Sequence, residues 1–259
     1  LRRSALSLNG GPGVSHEPVP ITHAISYMRD NWTCFLCHNF GFGLLAFVTY
    51  GYSAWVPTFF GRVFGWTPAE AGVWFGVTVM VFGSLGILFG GYLADRLLHH
   101  GYRDAKMRVG FFAAVCSIPF GALFPIASSA MVSLALLAAA TFILAMPFGV
   151  APAAIQEMMP SSMRGQASAI YLFVVNLIGM GLGPSAVAWF TDYVFQNEAM
   201  VGRSLLAVNM IGAISAALLL GFGLAHFRTS IQYLEAWHAR AETTASPSLE
   251  AAETASAEA

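Results

Sequence analysis

Charge is what this sequence has least of. Its 12 Lys and Arg with 13 Asp and Glu make up 10% of 259 residues, against roughly a quarter in an ordinary soluble domain. That deficit excludes a water-solvated globule, and the net charge of −1 is uninformative, because the few charges are patterned by side and not pooled on a nucleic-acid face. Cysteine is also scarce. Cys34, Cys37 and Cys116 all lie in apolar segments, and although Cys34-Phe35-Leu36-Cys37 has redox or zinc-knuckle spacing, no second pair or ligand cluster accompanies it. All three are expected as buried structural thiols, with no metal and no cofactor. An intramembrane serine protease needs a Gly-x-Ser-Gly-like segment and a histidine on another helix. Gly183-Pro184-Ser185 is the nearest approach, and its proline and the histidine placement argue against an enzyme. The paired Asn-Pro-Ala motifs of water channels and the threefold Pro-x-Asp/Glu-x-x-Lys/Arg repeat of mitochondrial carriers are missing as well.

What remains is long and apolar. Asn31–Gly61, Ala71–Ala94, Val109–Gln156, Gly165–Thr191 and Ser204–Phe227 contain no Asp, Glu, Lys or Arg. A bilayer-spanning helix needs about 20 such residues, and lipid leaves helices as the form that satisfies every backbone group in so uniform a run. The third stretch is long enough for two spans, and Ala127-Ser128-Ser129-Ala130 after Pro125 marks the turn between them. An all-α membrane protein of six transmembrane helices follows, near 33–60, 71–94, 109–127, 131–156, 166–190 and 204–225. Residues 1–30 read as a linker, flexible at its Gly/Pro-rich start and with Ile21–Arg29 as a possible interfacial helix. Residues 228–240 are able to continue the last span along the membrane surface through Ile231, Leu234 and Trp237. The Ala/Glu/Ser/Thr segment Ala241–Ala259 is expected to stay disordered.

Orientation follows from the cations. With a cytoplasmic N-terminus, Arg2, Arg3, Arg29, Arg96, Arg103, Lys106, Arg108, Arg164, Arg228 and Arg240 share one side, leaving Arg62 and Arg203 on the other. This positive-inside bias places both termini in the cytoplasm. Trp32, Trp66, Trp189 and Tyr193 fall near span ends, where aromatic rings prefer the headgroup level. A bacterial inner membrane is the expected location.

Polar groups at membrane depth are few and therefore informative. On the first helix His38, Thr49, Tyr52 and Ser53 fall within about 100° of arc, with Asn39 and Tyr50 as an adjoining stripe. Such a face suits a water-filled cavity or a substrate path, although a hydrogen bond from His38 to a neighbouring carbonyl would explain that residue equally well. Asn176 and Asn209 stand alone in the fifth and sixth spans. No Asp or Glu lies within a span, Glu157 closing the fourth, so a coupling carboxylate would have to come from elsewhere. Gly72/Gly76, Gly83/Gly90, Gly86/Gly90 and Gly179/Gly183 put bare backbone on single helix faces, which permits close approach in lipid.

Gly91-Tyr92-Leu93-Ala94-Asp95-Arg96 and the basic stretch after it resemble a loop motif of the major facilitator superfamily, as repeated between helices eight and nine. Met163-Arg164-Gly165-Gln166-Ala167-Ser168, continuing through Gly181-Leu182-Gly183-Pro184 to Thr191-Asp192-Tyr193, is similar to helix eleven of the spinster-like branch. Tyr50-Gly51-Tyr52-Ser53-Ala54-Trp55-Val56-Pro57 is similar to its helix seven. The resemblance covers about residues 30–225. It implies the C-terminal six-helix half (helices 7–12) of a secondary transporter that works by alternating access. The substrate, a small organic or amphipathic anion, would pass His38, Asn39, Thr49, Tyr50, Tyr52, Ser53 and Asn176. The first and fifth helices would form the seam with a missing N-terminal half or a second copy. Gly91, Asp95, Arg96, Arg164 and Gly165 would form a conformational latch, with Asp95 meeting a helix start in the opposite half. The partners implied are the lipid bilayer, a small-molecule substrate and that other half, with no nucleic acid. A six-helix scaffold that transports nothing is the alternative.

Overall fold

The computed structural model describes residues 21–257, with side chains placed as far as Ala236. The expected linker at 1–20, with Arg2 and Arg3, and the side chains of Trp237 and Arg240 lie outside the described residues. Among those described there is no strand, and six helices are long and apolar enough to cross a membrane: Trp32–Phe64, Pro68–His99, Ala105–Ile126, Ala130–Glu157, Ser161–Val194 and Glu198–Ala236. They are called the first to sixth spans below. A short helix, Ile21–Asp30, leads into the first.

The sequence ends these helices by identifiable chemistry. Gly65, at φ 71°, closes the first span in the left-handed conformation that glycine adopts without strain. Thr67 opens the second through a capping box: its hydroxyl accepts from the Glu70 N–H, and the Glu70 carboxylate accepts from the Thr67 N–H at 2.9 Å. Pro68 follows at the first helical position, where its missing donor costs nothing. Phe124–Ile126 tightens into a 3₁₀ turn and Ala127 is extended, so the third span turns into the fourth where Pro125 points.

Burial divides the spans into two kinds. In the most apolar stretch of each, 61% of the first and fourth spans is buried, but only 17% of the second and 28% of the fifth. The first and fourth are central. The sixth packs against the first and third, the third against the fourth, the second mainly against the fourth, and the fifth against the first. Aromatic contacts tie the far end of the first span to its neighbours: Phe59 meets Phe124 at 5.9 Å and Phe60 stacks on Trp66 at 4.6 Å. Asn209 is fully buried against Gly121 and donates to the Ile118 carbonyl at 3.4 Å.

One expectation is corrected. Cys116 is exposed, while Cys34 and Cys37 are buried. A free thiol behaves as a small apolar group, so a lipid-facing position suits it as well as a core one. The last helix runs from Val201 to Ala257.

Ion pairs cluster by end. Arg62–Glu198 lies at one end of the bundle. At the other, Lys106 pairs with Glu157, Arg103 with Glu235 at 2.6 Å, and Asp104 with both Arg108 and Arg228. The basic loop is therefore stapled to the fourth and sixth spans. Asp104 is 1% exposed, and its Oδ1 accepts from Arg108 Nε at 2.8 Å. Arg228 Nε lies 3.2 Å from Oδ2 without hydrogen-bond alignment, and so acts as a nearby charge.

Candidate functional site

The second and fourth spans touch along one edge only. At Gly86 and Gly90 a methyl group would collide with the carbonyls of Phe142 and Met146, so the two backbones are in direct contact there. Before Gly86 the second span carries a π-helical turn, Val79–Gly83, a one-residue insertion of the kind that often marks functional sites. The space opened beside it is a cavity of about 400 Å³. The first span contributes Thr49, Tyr52 and Ser53; the second Phe75, Val79, Met80, Gly83, Ser84 and Ile87; the fourth Thr141, Leu144, Ala145 and Phe148. Met80 (65% exposed), Ser53 and Ser84 lie at its open side.

The walls are apolar with hydroxyls set into them. Thr49 donates to the Leu45 carbonyl at 2.9 Å. Tyr52 donates to the Gly121 carbonyl at 3.4 Å. No Lys, Arg, His, Asp or Glu lines the cavity. This lining suits apolar surface and a few directed hydrogen bonds, and supplies no charge to clamp an ion.

The predicted polar stripe is split. Thr49, Tyr52 and Ser53 line the cavity, but His38 does not: it is 0% exposed inside the bundle, its Nε2–H donating to the Ala151 carbonyl at 3.0 Å. Its ring packs on Phe42 and Tyr171, with centroids at 4.9 and 5.1 Å. Near its start the first span lies under the fourth and fifth, which cover that face. Asn39 lines a separate groove and donates to the Phe35 carbonyl of its own helix at 2.8 Å. Tyr50 packs over Gly179 of the fifth span. Asn176 is exposed on the bare face of that span, bonded to the Leu172 carbonyl. The cavity thus lies between the first, second and fourth spans, and the least buried spans are the second and fifth. Ser84 and Thr141 were missed; each is an isolated hydroxyl in an apolar span, which was their only signal.

The latch residues are not gathered either. Asp95 is exposed and makes no ion pair or hydrogen bond among the described residues, while Lys106, Glu157 and Arg103 line a small cleft with it. Arg96 is exposed, so the two are neighbours without pairing. Arg164 donates to the Met159 carbonyl at 3.4 Å. Gly91 and Gly165 face open space. Among the described residues no group of three or more His, Cys, Asp or Glu could hold a metal.

These features define an integral membrane protein, six apolar helices with a hydroxyl-bearing cavity between the first, second and fourth. The chain belongs to the Major Facilitator Superfamily, whose sequence profile matches residues 4–184. It is 28% identical over 182 residues to an MFS-type efflux pump of Mycolicibacterium smegmatis, covering 67% of this chain and 42% of that protein. Its fold matches crystal structures of a bacterial homologue of the human lysosomal transporter Spinster. The inward-facing unoccupied form gives a TM-score of 0.62 at 16% identity, covering 86% of this chain and 52% of that one. The inward-facing occupied form gives 0.57 at 16% identity, covering 77% and 49%. The chain therefore spans about half the length of the relatives it matches.

Proposed function

We propose that this chain is the C-terminal half of a secondary transporter of the alternating-access type, lying in a bacterial inner membrane with both termini cytoplasmic. What supports the reading is the family match over a chain about half the length of its relatives, together with a cavity walled on three sides by the first, second and fourth spans. A complementary six-helix half would cover the second and fifth spans and close the fourth side. The substrate class that fits is an amphipathic organic anion. Its apolar part rests against Met80, Ile87, Leu144 and Phe148, and its oxygens reach the hydroxyls of Ser53, Ser84 and Thr141. The counter-charge would come from the complementary half, since this lining has none. Asp95, bare and at the end of the second span, suits a latch toward a helix start in that half, a contact worth about 0.3–1 kcal/mol when exposed.

The test is to fill the cavity. Ser84→Trp in the full-length protein should cut uptake or efflux in proteoliposomes at least tenfold, with the amount and thermal midpoint of folded protein unchanged. Transport at the parent rate would remove this cavity from the path.

A further inference from the structure

Away from the central cavity, a second groove of about 410 Å³ runs between the short helix Ile21–Asp30, the first span and the fifth. Ile25, Arg29, Trp32, Asn39, Ile170 and Val174 are among its walls. Apart from the Trp32 indole, Arg29 and Asn39 are its only polar lining residues. They sit at different depths. Arg29 stands on the short helix just before the span begins, exposed and without a hydrogen bond or ion pair among the described residues. Its acidic neighbour Asp30 is engaged elsewhere, accepting from the Tyr233 hydroxyl at 3.4 Å. Trp32, 60% exposed, opens the first span at the level where indoles mark the membrane interface. From Trp32 the wall descends to Phe40, which at 1.5 Å per residue is about 12 Å, most of the depth of one leaflet.

Asn39 stands near the bottom and is 6% exposed. Its Nδ2 donates one proton to the Phe35 carbonyl, while its Oδ1 has no partner. A buried amide in that condition costs stability unless something else satisfies it. The short helix itself is fixed: Tyr27 donates to the Met158 carbonyl at 3.0 Å, and burial pushes the Tyr27 hydroxyl above its ordinary range, so it stays a donor.

We propose that this groove is a binding site for one phospholipid with an anionic headgroup. A leaflet-deep apolar channel with an unpaired cation at its interfacial end has the shape and charge of that ligand. The acyl chain lies along Phe35, Leu36, Phe40, Ile170 and Val174. The phosphate sits at the Arg29 guanidinium, whose fork suits phosphate oxygens. The occupant is a lipid of the surrounding bilayer, not the transported molecule.

The experiment places the full-length protein in phosphatidylcholine nanodiscs doped with phosphatidylglycerol brominated in its acyl chains, or with equally brominated phosphatidylcholine. Quenching of Trp32 is read as the difference between the parent and Trp32→Phe. Brominated phosphatidylglycerol should reach half-maximal quenching at a mole fraction roughly fivefold lower than brominated phosphatidylcholine, the effect of one Arg at an anionic surface. Arg29→Gln should erase that preference, and Arg203→Gln, at the opposite end of the bundle, should keep it. Equal quenching by the two lipids overturns the site. So does loss of the preference with Arg203→Gln, and so does a Trp32 that neither lipid quenches, since the groove would then be covered by protein.

Discussion

The second and fourth spans are almost equally apolar, with mean hydropathy of 2.0 and 2.2, yet one is 17% buried and the other 61%. In water such a difference would be intolerable. In lipid it is not, because acyl chains solvate a leucine as well as a neighbouring helix does. Apolarity therefore decides that both helices cross the membrane and leaves their neighbours undecided. The choice falls to small residues and to the polar ends. Gly86 and Gly90 seat the second span on the fourth, whereas Gly72 and Gly76, on the same span, face open space. The ends repeat the contrast with charge: Asp104 is buried between two arginines, while Asp95, nine residues earlier, has no partner among the described residues.

Substitutions can break this comparison. Gly90→Leu should do most damage, since the added carbons meet Met146 backbone that cannot yield. Overpacking of this kind costs about 3 kcal/mol, read as a collapsed thermal midpoint or loss of folded protein in detergent. Gly76→Leu, next to the cavity-lining Phe75 but with open space at its own Cα, should leave that midpoint alone. If both are equally harmful, the bare face is not bare. Asp104→Asn should come next. Breaking a buried pair is costly, but Arg108 and Arg228 are 25% and 52% exposed, which reduces the expected loss to about 1–2 kcal/mol by the same assay. Asp95→Asn should shift the midpoint by no more than about 0.5 kcal/mol while slowing transport by the full-length protein. Normal turnover would remove its role as a latch. Glu198→Gln should be smallest, because Arg62–Glu198 is a surface pair, 30% and 80% exposed, worth about 0–1 kcal/mol.

How much of this was readable beforehand depends on the physics involved. The six helices were visible because lipid excludes charge, and the turn after Pro125 because proline and a run of small polar residues punctuate a helix. The partners were not visible. A helix that is greasy all round carries no mark of which side meets protein, so the low burial of the second span could not be foreseen. The stripe on the first span is divided for a related reason. Angular position along a helix says nothing about depth, and His38 lies where the fourth and fifth spans cover it, while Thr49 to Ser53 lie more than ten residues further on, beside the opening. Ser84 and Thr141 gave one hydroxyl each, too little for a pattern. The ion pairs of Arg103 and Lys106 were hidden because Glu235 and Glu157 are distant in sequence.

The wide turn at Val79–Gly83 fixes more than the outline of the cavity. Each residue of a helix advances its facing by about 100°, so the surplus residue held there sets the rotation of everything that follows. Deleting one residue from that turn would leave a rod of the same greasiness and nearly the same length. Gly86 and Gly90 would then swing away from Phe142 and Met146, and Asp95 would be aimed at a different quarter of the membrane.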